Sequence, residues 1–371
     1  MKHKKHGIMP TVPLDQYGRK PTTKHLKAAL AVLLTICLLL TGCVQTSSEP
    51  QRYEQTFFDA FDTVSTVIIY DTSEKNAEAV LTRVHELLLE YHKLYDIYHA
   101  YDGMNNLYTV NQSAGGAPVT VDARMIDLLK FAKEMDALTN GRTNAAMGSV
   151  TELWRVCREA GLEDPAHAAL PAEQELERAA LHTNIENVAI DESASTVQLT
   201  DAEMLLDVGA IAKGYAVQQV VETLKSEGVT SLLLSAGGNV AAIGTRPDGT
   251  SWKVGIQDPY SSGYLCAVNV DGMSLVTSGT YERYYTVDGK NYHHIIDPKT
   301  LYPSAYYDSV SVLSADSALA DALTTGLFCM PLEEGQALVA SLDGVEALWI
   351  LPDGTQVMSA GFGDFLIQTG D

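Results

Sequence analysis

Residues 63–70 read Thr-Val-Ser-Thr-Val-Ile-Ile-Tyr, a β-branched run too short for a helix and well suited to a strand. Residues 77–95 follow with apolar positions at Val80, Leu81, Val84, Leu87, Leu88 and Tyr91, the spacing of an amphipathic helix. Helical spacing returns over 125–138 and 174–181, while 188–190 and 196–199 predict the two strands of a hairpin. From Ser231 the rhythm changes. The stretches 232–234, 240–243, 252–256, 266–270, 274–277, 284–287 and 310–313 are short strands parted by Gly, Asp and Pro turns, which argues for antiparallel sheet. Helical patterns at 317–328 and 332–342 precede a closing strand at 347–351. Without a tandem repeat or a clear linker after residue 55, this pattern predicts one α+β domain of two intimately packed lobes, with largely antiparallel sheets and flanking helices.

The N-terminus has another character. Seven Lys and Arg residues precede an apolar run over 28–40, which ends in Leu40-Thr41-Gly42-Cys43. The run is short for a membrane span and ends on small residues before a cysteine, so residues 1–42 read as a secretion signal. The ending resembles a bacterial lipobox, which implies cleavage after Gly42, a lipid on Cys43 and attachment to the outer face of the cytoplasmic membrane. An uncleaved anchor is the alternative; in both cases the globular part faces outward. Residues 43–54 read as a polar spacer, and the fold is expected to begin near Thr56 within a domain spanning 55–371.

Of 371 residues, 46% are hydrophobic, enough for a substantial core, and the net charge is −22. Removal of the signal takes away seven basic residues and one acidic, leaving 18 basic against 46 acidic. So acidic a surface argues against nucleic acid as a partner. Beyond Cys37 and Cys43 only Cys157, Cys266 and Cys329 remain, without C-x-x-C spacing, so a disulfide framework or structural zinc site is not expected.

Three segments carry candidate chemistry. In Asp207-Val-Gly-Ala-Ile-Ala-Lys213-Gly-Tyr215 an acid, a base and two glycines interrupt an apolar run at a helix entry. Such charges suit a ligand site, since burying them unpartnered costs several kcal/mol; a structural ion pair is the other reading. In Ala318-Leu-Ala-Asp321-Ala-Leu-Thr324-Thr325, residues 321 and 325 share a helix face, so a carboxylate and a hydroxyl can meet one hard cation such as Mg²⁺. Equally, Thr325 can bond back to the Asp321 carbonyl. Thr277-Ser-Gly, followed by Tyr292-His-His294-Ile295-Ile-Asp297-Pro298, supplies hydroxyls and proton-moving groups, or a core histidine bonded to Asp297. Ala236-Gly-Gly-Asn239 is a tight turn that by itself says little.

In this order these segments, with Trp252, Gly-Ile-Gln-Asp-Pro259 and Tyr-Glu-Arg-Tyr-Tyr285, resemble the ApbE family of flavin transferases over residues 55–360. The resemblance implies an extracytoplasmic FAD:protein FMN transferase that uses FAD as substrate with Mg²⁺, attaches FMN to a Ser or Thr of an acceptor flavoprotein and releases AMP. It implies metal ligands at the Ala210 carbonyl, Asp321 and Thr325, with Thr324 offering its carbonyl. It places FAD contacts at Tyr101, Arg142, Thr143, Asn144, Asp207, Lys213, His294 and Ile295, with Lys213 alternatively bridging Asp207. His294 is expected to take the acceptor proton, oriented or replaced by Asp297. The acceptor is expected to be a membrane electron-transfer subunit. Three positions depart from the family pattern: Asn144 in Gly141-Arg-Thr-Asn144 stands for an acid, Ser235 for an Asn, and Leu301 for a Gly. An FAD pyrophosphatase and a non-catalytic flavin-binding lipoprotein are the rival readings.

Overall fold

The computed structural model describes residues 49–367; the signal, the lipobox and Cys43 lie outside them. The chain enters the fold through an antiparallel hairpin of β1 (Gln51–Ala60) and β2 (Thr63–Asp71), in register from Gln51 opposite Asp71. This corrects the expected boundary: strand pairing begins at Gln51, inside the supposed spacer 43–54. The residues 51–56 are nearly all exposed, so backbone hydrogen bonds to β2, not side-chain burial, hold them.

Helix α1 (Glu74–Tyr95) is capped by Ser73, whose hydroxyl accepts the Asn76 N–H, and buries Ala77, Leu81, Val84, Leu88 and Tyr91 on one face. Then come α2 (Leu107–Gln112), β3 (Val119–Thr120), α3 (Ala123–Leu138), α4 (Gly148–Glu163), α5 (Glu173–Ala180), β4 (Val188–Asp191) and β5 (Thr196–Leu199). The predicted 188–199 hairpin forms, and β3 adds to it as a third strand. Helix α4 escapes the apolar-spacing rule because it buries only Gly148, Val150, Trp154 and Gly161.

Helix α6 (Ala212–Ser226) leads into β6 (Leu232–Ala236), β7 (Asn239–Ile243), β8 (Trp252–Gln257), β9 (Tyr264–Val270), β10 (Ser274–Gly279), β11 (Tyr284–Val287), β12 (Lys290–His293) and β13 (Ser309–Ser314). Helices α7 (Ser317–Phe328) and α8 (Leu332–Ala340) precede β14 (Glu346–Ile350) and β15 (Gln356–Met358). One eight-stranded sheet, ordered β1-β2-β6-β7-β10-β13-β14-β15 with every neighbour antiparallel, organises the domain.

Both faces of its central strands are covered. Val310 and Val312 of β13 and Ala347 and Trp349 of β14 pack with α7, whereas Leu313, Leu348 and Ile350 point to the β8–β9 ribbon and its Trp252, Val254 and Val268. Two-sided burial is why β13 is wholly buried even at its small polar positions Ser309, Ser311 and Ser314. Helices α6 and α7 lie against each other over β7, and their contact positions the candidate site.

Candidate functional site

The site is built where α6 and α7 meet. Gly237 and Gly238 form the two-residue β6–β7 turn with φ of 51° and 83°, a conformation that disfavours side chains. A Cβ on Gly237 would fall 2.1 Å from the Thr63 hydroxyl. The turn delivers Asn239 beneath α7, where its Oδ1 accepts the Ser317 hydroxyl at 2.7 Å. Gly214 lets the helices approach: a Cβ there would sit 2.2 Å from Cβ of Asp321.

Asp321 is 4% exposed. Its Oδ2 accepts the Gly214 N–H at 2.7 Å, and Lys213 Nζ lies 3.8 Å from Oδ1. Burial pushes this carboxyl above the usual carboxylate range, against the opposing pull of Lys213 and the Gly214 N–H. Because the Gly214 N–H turns to Asp321, the Ala210 carbonyl one turn earlier accepts no hydrogen bond among the described residues. Thr324, rather than Thr325, bonds back to the Asp321 carbonyl, at 2.7 Å, and accepts the Ser278 hydroxyl at 2.9 Å. The half-buried Thr325 hydroxyl thus stays unengaged among the described residues.

A buried carboxylate with one distant ammonium, a free carbonyl and a free hydroxyl is a donor set that fits a hard divalent cation. Among the described residues no group of three His, Cys, Asp or Glu side chains could hold a metal, so the fit depends on mixed oxygen donors.

Asp207 is not bridged by Lys213. Its Oδ1 accepts the Gly209 N–H at 2.9 Å and its Oδ2 accepts the Thr151 hydroxyl of α4 at 2.7 Å. One helical turn on, the Arg155 guanidinium stands 5.5 Å from the ring centroid of Tyr98. Loss of hydration, and then the Asp207 charge, push the Tyr98 phenol up to about 12. Tyr98, which the sequence reading passed over, is thus joined to Asp207 through the Thr151–Arg155 face of α4. Tyr101 instead donates to Asp96 at 2.8 Å, with Lys93 6.0 Å from its ring. Nothing in the sequence ranks one of these tyrosines above the other.

His293, the last residue of β12, and His294, in the bend that follows, meet different surroundings. His293 is buried: its Nε2 donates to the Ser304 carbonyl at 2.8 Å and its Nδ1 accepts the Ile295 N–H. His294 is exposed, and its Nδ1 donates to the Arg283 carbonyl at 3.3 Å. Because a carbonyl only accepts, this contact fixes the neutral tautomer with its lone pair on Nε2. Crowding by protein atoms, and the Arg283 charge, hold this imidazole below the usual histidine range.

Asp297 neither orients His294 nor bonds to a core histidine. It is 1% exposed and accepts from Arg142 at 3.4 Å and from the Lys299 N–H at 2.9 Å. Arg142 is itself buried, donates to the Cys329 carbonyl and reaches Glu334 at 3.6 Å. Thr143 is buried too, its hydroxyl donating to the Ala322 carbonyl at 2.7 Å. The side chains of Arg142 and Thr143, expected at FAD, are thus committed to ties with α7 and its C-terminal end. The Asn144 amide donates to the Thr183 carbonyl at 2.9 Å and accepts the Ala146 N–H. Ile295 is buried with its N–H and carbonyl both engaged. Leu301 takes a φ of 64°, the left-handed region where glycine is at ease, and its carbonyl accepts the Trp154 indole N–H at 2.8 Å.

The fold defines an α+β protein whose oxygen-donor site is carried by two helices backing one antiparallel sheet. The chain belongs to the ApbE family, whose model matches residues 61–349. It is 38% identical over 274 residues to an FAD:protein FMN transferase of Treponema pallidum, covering 70% of this chain and 74% of that protein. A Klebsiella pneumoniae protein of the same name is 34% identical over 286 residues, covering 76% and 85%. Among solved structures, the ApbE protein of Thermotoga maritima superposes with a TM-score of 0.75 at 28% identity, covering 86% of this chain and all of that one. The flavin transferase ApbE of Vibrio cholerae gives 0.71 at 25%, covering 85% and 100%.

Proposed function

We propose that this protein transfers FMN from FAD to a Ser or Thr hydroxyl of an acceptor flavoprotein and releases AMP; the names of its relatives support the transfer of FMN from FAD to a protein. The observation that carries the reading is the helix junction where Gly214 donates to buried Asp321 and leaves the Ala210 carbonyl free. Ala210, Asp321 and Thr325 are the residues that would hold Mg²⁺. When bound, that ion supplies neutralisation of the pyrophosphate charge, the main need of phosphoryl transfer. Lys213 adds a fixed positive charge at the same place.

His294 is the proton acceptor. Its Nε2 takes the proton of the acceptor hydroxyl, the freed oxygen bonds to the FMN phosphorus, and the bond from that phosphorus to the bridging oxygen breaks, so that AMP departs with it. Asp207, held by Thr151, and Tyr98 form a wall for the nucleotide. Lipidation at Cys43 would keep the domain on the outer membrane-water face, beside membrane-bound acceptors.

Incubating the protein with FAD, Mg²⁺ and a candidate acceptor tests the reading. Fluorescence that stays with the acceptor on a denaturing gel is expected; free FMN would mean a hydrolase, and unchanged FAD a binding protein. His294→Ala should bind FAD nearly as the parent does but lose transfer by about 10²-fold or more. Undiminished single-turnover transfer by that variant removes His294 from the reaction.

A further inference from the structure

Helix α4 presents Thr151, Arg155 and Arg158 at spacings of four and three residues, hence on one face. Thr151 is bonded to Asp207 and Arg155 lies over Tyr98, so this face borders the proposed nucleotide site. The C-terminal half of the helix lies against the β11–β12 hairpin. A Cβ on Gly161 would come within 2.8 Å of the Tyr285 ring, and residue 158 is one turn earlier on that side. Arg283 immediately precedes β11, and its carbonyl accepts from both the backbone N–H and Nδ1 of His294.

The two arginines of α4 differ. Arg155 is saturated by Glu152 and Glu159 at 2.5–2.7 Å. Half-buried Arg158 makes no hydrogen bond or ion pair with any described residue, although the chain carries 47 acidic residues against 25 basic. Gly161 against Tyr285 and the Arg283–His294 bonds set Arg158 on the side of α4 that faces the start of β11, where Arg283 and His294 lie, and both arginine charges add to the crowding by protein atoms that lowers the proton affinity of His294. Convergence of like charges is unfavourable unless an anion joins them.

We infer that Arg158 is a further substrate-binding residue, whose free guanidinium engages the phosphate of the FMN half beside His294. The inference rests on the proposed transfer reaction only for naming the anion: the base that deprotonates the acceptor hydroxyl must adjoin the phosphorus that is attacked. A guanidinium meets phosphate oxygens in a bidentate fork, and a charge-assisted bond of this kind is strong where solvent is partly excluded.

The test compares FMN with riboflavin, which lacks the phosphate, by flavin-fluorescence titration of the purified full-length chain in the presence of a metal chelator. The parent should bind FMN tighter than riboflavin. Arg158→Met should lose about tenfold or more of that preference through FMN affinity alone, and Arg158→Lys should recover part of it. An Arg158→Met protein that keeps the preference overturns the inference. So does one that loses riboflavin to the same extent, which marks a structural role, and so does a parent with no preference. A parent that prefers FMN yet transfers none to an acceptor refutes the transfer reaction and leaves the phosphate contact standing.

Discussion

Asp321 shows what one buried carboxylate commits a protein to. Desolvation raises its pKa while Lys213 and a backbone N–H only partly oppose this, so the site favours a cation that brings more charge than an ammonium at 3.8 Å. Asp321→Ala should abolish the heat of Mg²⁺ binding in titration calorimetry while the Asp207–Thr151 bond on the other side of the proposed site is untouched. Retained Mg²⁺ heat would remove Asp321 from the metal site. His293 gives a pH prediction. Burial, the first cause, depresses its folded pKa, and both ring nitrogens are already committed to the neutral form. The unfolded chain takes up a proton near the ordinary value of about 6.5, whereas the folded chain resists until lower pH. Unfolded molecules therefore bind more protons in that window, and stability falls as pH drops through it. Denaturation midpoints between pH 7 and 5 should show a shallower fall in His293→Gln. Two adjacent histidines on an extended segment point apart, but nothing local says which is buried, because the burial of His293 depends on its bond to the Ser304 carbonyl 11 residues on.

At the scale of elements, the α6–α7 contact depends on one glycine. An added methyl at residue 214 meets Asp321 Cβ at 2.2 Å, the Ser317 carbonyl oxygen at 2.5 Å and Asn239 Nδ2 at 2.9 Å, and two of these are backbone or backbone-proximal atoms that cannot swing away. Gly214→Ala should cost about 1–3 kcal/mol or more, read as a lower urea midpoint, and weaken Mg²⁺ binding as the helices part. An unchanged midpoint would show that the helices separate freely. The apolar spacing of α1, α3 and α8 was legible because each turns one stripe to a core, and α7 was legible because it is apolar and buried nearly all round. Helix α4 was not, since Glu152, Arg155, Arg158 and Glu159 interrupt its pattern and its buried face is thin. Strand β1 was hidden for a related reason: an edge strand held by backbone pairing needs no apolar pattern.

Across the whole molecule, long-range ties replace what was expected to be ligand contact. Arg142 joins the loop after α3 to Asp297 and to the Cys329 carbonyl, residues 155 and 187 positions away. Removing its charge leaves Asp297 buried with only one backbone donor, so Arg142→Met should destabilise by about 3–5 kcal/mol in chemical denaturation while FAD affinity of the folded protein is kept. A loss of FAD affinity without loss of stability would return Arg142 to the binding site. The sequence by itself determined the α+β class, the antiparallel order after residue 231, the glycine turn at 237–238 and the grouping of Asp207, Lys213 and Asp321 as site candidates. Each of these depends on local periodicity, local turn chemistry or a charge out of place in an apolar run. Only the tertiary structure decided that Lys213 faces Asp321 and not Asp207, that Tyr98 is joined to Asp207 through α4 while Tyr101 turns to Asp96, and that Asp297 serves Arg142 and not His294. Those choices are made between partners far apart in the chain, and burial and hydrogen-bond geometry select among them only once the sheet has brought the helices together.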